Sequence, residues 1–391
     1  MHLGGESMIT KISGGIVIAD GKEINANLYI KDNKIDAITP DDLPFDNEIK
    51  AEGRYVAPGF VEIHTHGAAG YDFLDNTKEA YIEIAKAHAQ HGTTSLLPTL
   101  TSSTTEGMLG AIDVFESVGE TGGAELLGLH FEGPYFAASQ KGAQEERFLR
   151  DFDPEEYEAI TAKTDKIVRW TGAPELSGSK EFADHLVSKG ILPCIGHSDA
   201  ESTVAHEAFE NGFTHCTHLY SGMSTVHRKN AFRYAGIVEE AYLNDDMTVE
   251  IIADGIHLPK DLLRLIYKIK GSDKIALITD SMRGAGMPDG ESILGSLDNG
   301  LKVIIEDGVA KLPDRTAFAG SVAFSDRLLR NMINLAGVSV AEAVKMASTT
   351  PAKIIGAKTK GELIPGYDAD VVIFDKDINV FATIVGGKRV F

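Results

Sequence analysis

Metal-compatible side chains recur in this sequence at one kind of position. Val61-Glu62-Ile63-His64-Thr65-His66-Gly67 is an apolar run that ends in two histidines two residues apart, followed at once by glycine. In a strand, side chains alternate between faces, so His64 and His66 point the same way and can chelate a divalent cation. Glu132 ends Leu126–Glu132, within Gly128-Leu129-His130-Phe131-Glu132-Gly133-Pro134. His197 ends Ile191–His197, His218 lies near the end of Thr214–Tyr220, and Asp280 ends Lys274–Asp280. His257 follows the run Val249–Asp254. Taken singly, such a histidine is as readily a helix cap or a packed ring, Glu132 a turn residue and Asp280 an N-cap. Six at the ends of successive apolar runs point to a nitrogen- and oxygen-ligated divalent metal, Zn²⁺ or Fe²⁺, with one or two ions per subunit.

A bound cation of this kind lowers the pKa of water toward about 7. A carboxylate beside it can take the proton of the attacking water and return it to a leaving amine. Asp280, at the end of the last run, suits that role, and His257 can donate to a carbonyl oxygen as charge develops there. The implied reaction is metal-assisted hydrolysis of an amide.

Such donors need a scaffold that brings strand ends together. Eight strand-like runs are expected at Val61–His66, Thr94–Thr99, Leu126–Glu132, Lys166–Thr171, Ile191–His197, Thr214–Tyr220, Val249–Asp254 and Lys274–Asp280. Helical stretches such as Lys78–His91, Glu106–Val118, Ser179–Lys189 and Ala200–Asn211 alternate with them, and two more, Asp326–Leu335 and Ser339–Ala347, follow the last strand. The runs are apolar without alternation, as for strands buried on both faces. The reading is an α/β fold, a (β/α)₈ TIM barrel whose chemistry sits at the C-terminal strand ends. The alternative, a doubly wound open sheet, lacks a Gly-x-Gly-x-x-Gly turn.

Flanking the barrel, Ile16-Val17-Ile18, Asn27–Ile30 and Lys34–Ile38, with turns at Asp20-Gly21 and Asp32-Asn33, read as short strands. Asp370–Phe374, Val380–Val385 and Val390-Phe391 do the same at the other end, with a turn at Gly386-Gly387. Neither segment can bury a core alone, so they are expected to pair in one small β-sandwich. The division is 1–57 and 361–391 for the small domain and 58–360 for the barrel. A hairpin at Lys302–Leu312, around Asp307-Gly308, reads as an excursion after strand eight.

A net charge of -21 over 391 residues argues against nucleic acid or an anionic membrane as partner, and requires local cations for any anionic substrate. No apolar stretch approaches a membrane span. Cys194 and Cys216 lie in apolar runs and read as buried inert thiols in a reducing, cytoplasmic setting, with Cys216 on the face of His218 but deeper. Met1–Ser7 have no hydrophobic signal region, and the sequence leaves open both a native start and an extension ahead of Met8.

Further segments stand in a recognisable order: Ala57-Pro58-Gly59-Phe60, His91-Gly92-Thr93-Thr94, Leu129–Phe136, Gly196-His197-Ser198, Thr217-His218-Leu219-Tyr220, Ala253-Asp254-Gly255 with His257, Thr279-Asp280, Ala319-Gly320-Ser321 and Gly366–Asp370. With them the chain resembles the amidohydrolase superfamily and, within it, deacetylases of N-acetylamino sugar phosphates. The resemblance implies hydrolysis of such a sugar, N-acetylglucosamine 6-phosphate first, to the free amine and acetate. It implies Glu132, His197 and His218 as main metal ligands, His64 and His66 as holders of a second ion, Asp280 as the catalytic carboxylate beside the metal, and His257 on the acetyl carbonyl. It also implies a homodimer in which a basic residue of the neighbouring subunit reaches the phosphate.

Three stretches depart from the pattern. Ser221-Gly222 replaces Asn-Ala, where backbone amides are expected to meet the phosphate. His227-Arg228-Lys229-Asn230 replaces Arg-Glu-Pro-Gly, which makes Arg228 the expected phosphate contact, with Lys229 or Arg233 as alternatives. Gln144, an expected substrate contact, stands where many members have histidine and leaves room for a different sugar or phosphate position. Rival chemistries on the same barrel include cyclic amide hydrolysis and deamination. Several of those enzymes use a carbamylated lysine on strand four, which Ile167–Thr171 does not offer. A barrel that has lost catalysis should lack a ligand or Asp280, and none is missing.

Overall fold

A computed structural model describes residues 8–391, so the expectation for Met1–Ser7 lies outside the described residues. Eight parallel strands carry the chain's centre: β1 (Phe60–Thr65), β2 (Thr93–Leu100), β3 (Leu129–Glu132, led in by Glu125–Leu126), β4 (Ile167–Gly172), β5 (Leu192–Ile195), β6 (His215–Cys216), β7 (Thr248–Ile252) and β8 (Ile275–Ile278). Each hydrogen-bonds its sequence neighbour in register, for example Phe60 with Thr93 and Arg169 with Leu192. β1 and β2 are buried along their whole length, which is why their apolar runs do not alternate.

The barrel closes at its C-terminal rim. β8 and β1 share only a bridge between Thr65 and Ser281, with the Asp280 amide donating to the His64 carbonyl at 2.9 Å and the His66 amide to the Ser281 carbonyl at 2.8 Å. Below that bridge the buried carboxylate of Glu62 spans the seam, accepting from the amides of His64 and Thr279 at 2.8 and 2.9 Å. The two strands bearing His64, His66 and Asp280 are thus pinned together beside those residues.

Helices pack outside, several of them started by a side-chain cap. Thr77 caps Lys78–Ala89 through the Ala80 amide, Thr104 caps Thr105–Val118 through Gly107, and Asp153 caps Pro154–Lys163, with proline at the first helical position. The helix Ser325–Asn331 continues as a π-turn, Met332–Ala336, and ends at Gly337.

The terminal segments pair as expected. A six-stranded sheet runs Lys388–Arg389, Val380–Val385, Val371–Phe374, Tyr55–Pro58, Ile16–Ala19, Lys22–Asn25, with Val371 opposite Pro58 and Ile373 opposite Val56. A four-stranded sheet of Lys34–Thr39, Asn27–Lys31, Ile9–Ser13 and Asn47–Lys50 belongs to the same small sandwich. Ile12, Val17, Leu28, Ile30, Val371, Ile373 and Ile384 share one buried core, which neither end of the chain could fill alone.

The excursion after β8 is larger than the expected hairpin. Leu301–Glu306 and Val309–Lys311 are the inner strands of a four-stranded antiparallel sheet whose outer strands are Gly290–Leu294 and Phe318–Ser321. Its last strand runs back to the barrel through a bridge between Ser321 and Ser281, which sets Phe318 and Gly320 over the rim. The outer strands escape a sequence reading because Gly290–Leu294 and Phe318–Ser321 carry two glycines and few apolar residues.

Candidate metal centre and substrate cavity

Glu132 is the hub of the rim. Its Oε1 lies 2.8 Å from His218 Nε2, 3.1 Å from His197 Nε2 and 3.7 Å from His64 Nε2, and its Oε2 lies 3.3 Å from His66 Nε2. Asp280 Oδ1 stands 3.1 Å from His66 Nε2 and 3.6 Å from His64 Nε2. Ligand atoms of His64, Glu132 and His218 fall within 4.8 Å of one another, and so do those of His64, His66 and Asp280. All six expected metal residues therefore converge, and all six are buried.

Three of them reach the cluster through backbone that non-glycine residues seldom adopt. His197, His218 and Asp280 have φ of 47°, 27° and 46°, each just past the end of its strand. This overturns one expectation. Cys216 does not share a face with His218: His215 approaches Glu250 inside the barrel, Cys216 Sγ packs outward on Met247 Sδ, and the turn at His218 breaks the alternation and swings that ring inward. Both cysteines are buried and unpaired, and burial pushes the Cys216 thiol up to about 12.

The charges call for a cation. His197 Nδ1 faces the Gln140 carbonyl at 2.8 Å and His66 Nδ1 the Thr99 carbonyl at 3.1 Å. A carbonyl only accepts, so each Nδ1 carries a hydrogen and each Nε2 is the atom turned toward carboxylate oxygens. Such an arrangement is stable only with positive charge between the groups. Burial opposes charge on His66, yet hydrogen bonds to Asp280 and Glu132 hold its pKa well above the ordinary value. Burial alone would raise Glu132 and Asp280, but the facing imidazoles hold both carboxyls below their usual range. His64 Nε2 is buried with no hydrogen-bond partner. Imidazole Nε2 atoms converging on two ionised carboxylates fit a divalent metal ion, which would take the place of the protons between them.

A cavity of about 290 Å³ opens over this cluster. His257 lines it, with Nδ1 2.8 Å from Asp254 Oδ2 and its ring 4.6 Å from that of Phe318. Asp254 also accepts the amides of Ile256 and His257, and these bonds outweigh burial to keep its carboxyl below the ordinary value. Gln144 lines the cavity too and is held at both ends: its Oε1 accepts the Ser102 amide at 2.8 Å and its Nε2 donates to Glu132 Oε2 at 2.7 Å. Ser221 and Gly222 form part of the wall, but the Ser221 amide donates to the His218 carbonyl at 2.9 Å. Gly222 has φ 57°, and a Cβ there would meet His197 Nδ1 and the Gln140 carbonyl within 3 Å, so glycine protects that hydrogen bond.

The basic residues stand elsewhere. Arg228 and Lys229 lie on His227–Lys229, which pairs with Phe232–Tyr234 around Asn230 and Ala231. Arg228, Lys229 and Arg233 are exposed, and among the described residues no lysine or arginine lines the cavity of their own chain. Sequence reasoning missed Glu250, the buried residue that contacts His64 Nδ1 at 3.0 Å. Its signal was a lone acid in the apolar run of β7, matched by the lone arginine in β4.

A sequence model of the amidohydrolase family matches residues 55–390. The chain belongs to the amidohydrolase family. Its relatives include the N-acetylglucosamine-6-phosphate deacetylase of Bacillus subtilis (strain 168), 33% identical, with 99% of this chain and 98% of the relative aligned. The N-acetylgalactosamine-6-phosphate deacetylase of Escherichia coli O157:H7 is 32% identical over 92% of this chain and 93% of its own. Among solved structures, a mutant N-acetyl-D-glucosamine-6-phosphate deacetylase from Mycobacterium smegmatis, in complex with N-acetyl-D-glucosamine-6-phosphate, superposes with a TM-score of 0.89 at 27% identity, covering 99% of this chain and 100% of that one. This amidohydrolase is therefore a hydrolytic enzyme, with barrel and flanking sandwich in common with that structure. Among the described residues no helix is long and apolar enough to cross a membrane.

Proposed function

We propose that this amidohydrolase removes the acetyl group of N-acetylglucosamine 6-phosphate, releasing acetate and glucosamine 6-phosphate. The observation that carries the reading is the carboxylate of Asp280, 3.1 Å from His66 at the floor of a cavity whose wall presents His257. The substrate held in the mycobacterial neighbour supports the choice of sugar.

Glu132, His197 and His218 would hold one divalent ion, Zn or Fe(II), and His64, His66 and Asp280 a second. When bound, the metal supplies Lewis-acid chemistry and water of lowered pKa. Asp280, kept ionised by the imidazoles around it, takes a proton from the attacking water and passes it to the amide nitrogen as the C–N bond breaks. His257, oriented through Nδ1 by Asp254, directs Nε2 at the acetyl oxygen as charge develops there. Gln144 borders the sugar and fixes the direction of the Glu132 carboxylate.

Phosphate needs cations that the chain's own cavity lining does not offer. We assign them to the hairpin of a second subunit, Arg228 first, with Lys229 or Arg233 in reserve. Exposed Phe232 and Val226 beside these bases, 71% and 51% accessible, suit burial in a homodimer. Ser221-Gly222 and Gln144, where the chain departs from the family pattern, favour a second reading, the galactosamine isomer. That isomer is the substrate named for the E. coli relative. Two unpaired cysteines and a phosphorylated small molecule suit a cytoplasmic site of action. The test is to incubate metal-loaded protein with N-acetylglucosamine 6-phosphate and assay acetate and primary amine together. Equimolar release supports the reading, and release of neither refutes it.

A further inference from the structure

Beneath the metal centre the barrel interior holds a buried ion pair. Glu250 on β7 and Arg169 on β4 are both fully buried, and the Arg169 guanidinium bonds Glu250 Oε1. Arg169 Nη2 also donates to Thr217 Oγ1 at 3.0 Å and Nη1 to the Ile63 carbonyl at 3.3 Å. The other carboxylate oxygen, Oε2, lies 3.0 Å from His64 Nδ1 and accepts the His218 amide at 3.2 Å. One carboxylate thus grips the ring of one expected metal residue and the backbone of another, on β1 and at the end of β6. Burying two opposite charges inside the barrel is a weak route to stability, since desolvation offsets most of the attraction. The pair makes sense through what it fixes.

We propose that Glu250 is a positioning residue for the metal centre. It holds His64 as the Nδ1–H tautomer with Nε2 aimed at Glu132 and Asp280, it anchors the strained turn at His218, and Arg169 fixes it from the opposite side of the barrel. A carboxylate can only accept, so the hydrogen of the neutral ring sits on Nδ1 and the lone pair on Nε2. Nε2 has no hydrogen-bond partner and stands 3.7 Å from Glu132 Oε1 and 3.6 Å from Asp280 Oδ1. His66 and His197 have their Nδ1–H set instead by backbone carbonyls, that of Thr99 on β2 and that of Gln140 in a short turn. His64 alone among the three relies on a charged side chain.

This inference rests on the metal reading of the cluster, and its test separates the two. Metal-free protein is titrated with Zn²⁺ and with Fe²⁺ under anaerobic conditions, and bound ions are counted after dialysis. If the wild type binds no divalent ion, the metal reading fails. If it binds, Glu250→Gln and Glu250→Asp are compared with it. Glu250→Asp keeps the charge opposite Arg169 but withdraws it by one methylene, so the fold has its counter-ion even if Glu250→Gln does not fold. The expected result is binding weakened by about 10- to 100-fold, with the His64–His66 ion lost first and near-UV circular dichroism of the metal-free protein unchanged for Glu250→Asp. Long-range ¹H–¹⁵N spectra of the metal-free wild type should report His64 protonated on Nδ1. Unchanged metal affinity in folded variants, or an Nε2-protonated His64, overturns the proposal.

Discussion

His66 Nε2 stands 3.1 Å from Asp280 Oδ1 across the seam where the last barrel strand meets the first. The contact joins residues from the first and last strands that build the cluster, and the bridge between Thr65 and Ser281 lies directly beside it. Closing the barrel and placing the Asp280 carboxylate in the cluster are the same structural event.

Asp280→Asn removes the proton acceptor while preserving shape. The expected outcome is a loss of about 10²- to 10⁴-fold in kcat, with the ion held by Glu132, His197 and His218 retained in elemental analysis. A normal rate in that variant would remove Asp280 from the proposed role.

His257 depends on Asp254 for its direction, since Nδ1 and two backbone amides converge on one carboxylate. His257→Asn should lower kcat by about 10²- to 10³-fold, and Asp254→Asn should lower it in the same sense. Steady-state kinetics check both, and a change confined to KM would argue against action on the developing oxyanion.

The proposed sharing of the phosphate contact between subunits makes a prediction that a one-chain site does not. Arg228→Ala should raise KM for a phosphorylated substrate and leave the unphosphorylated sugar unaffected. Inactive Asp280→Asn mixed with Arg228→Ala and allowed to exchange subunits should recover activity at low substrate, because one site per hybrid dimer combines an intact Asp280 with its partner's Arg228. Absence of recovery in confirmed hybrids would place the phosphate cation on the same chain.

Acid stability has a named contributor. Burial raises the Glu156 carboxyl, but bonds from Arg150, Thr105 and Tyr135 outweigh it and hold the group below its ordinary value. A depressed folded pKa gives stability that is present above the unfolded value, about 4.3, and is lost as pH falls through the folded one. Chemical denaturation at several pH values should therefore show a flatter profile below pH about 4.3 for Glu156→Gln than for the wild type.

The barrel was legible because strands buried on both faces leave continuous apolar runs, and the site because its polar residues end those runs. The sandwich was legible because neither β-rich terminus could be stable alone. What escaped depends on contacts across the fold. The inward turn of His218 follows from a φ of 27°, against the alternation that its neighbours keep. Glu250 and Arg169 are 81 residues apart and announce themselves only as single charges in apolar strands. The bases of the hairpin were found, but nothing in their spacing tells that they stand away from their own cavity.

The central claim is that this cavity hydrolyses the acetamide of a phosphorylated amino sugar. The most direct measurement is acetate release from N-acetylglucosamine 6-phosphate, N-acetylgalactosamine 6-phosphate and unphosphorylated N-acetylglucosamine, with metal content determined on the same sample. The account predicts metal-dependent turnover with the highest kcat/KM for N-acetylglucosamine 6-phosphate. A metal-loaded protein that releases acetate from none of the three would contradict it.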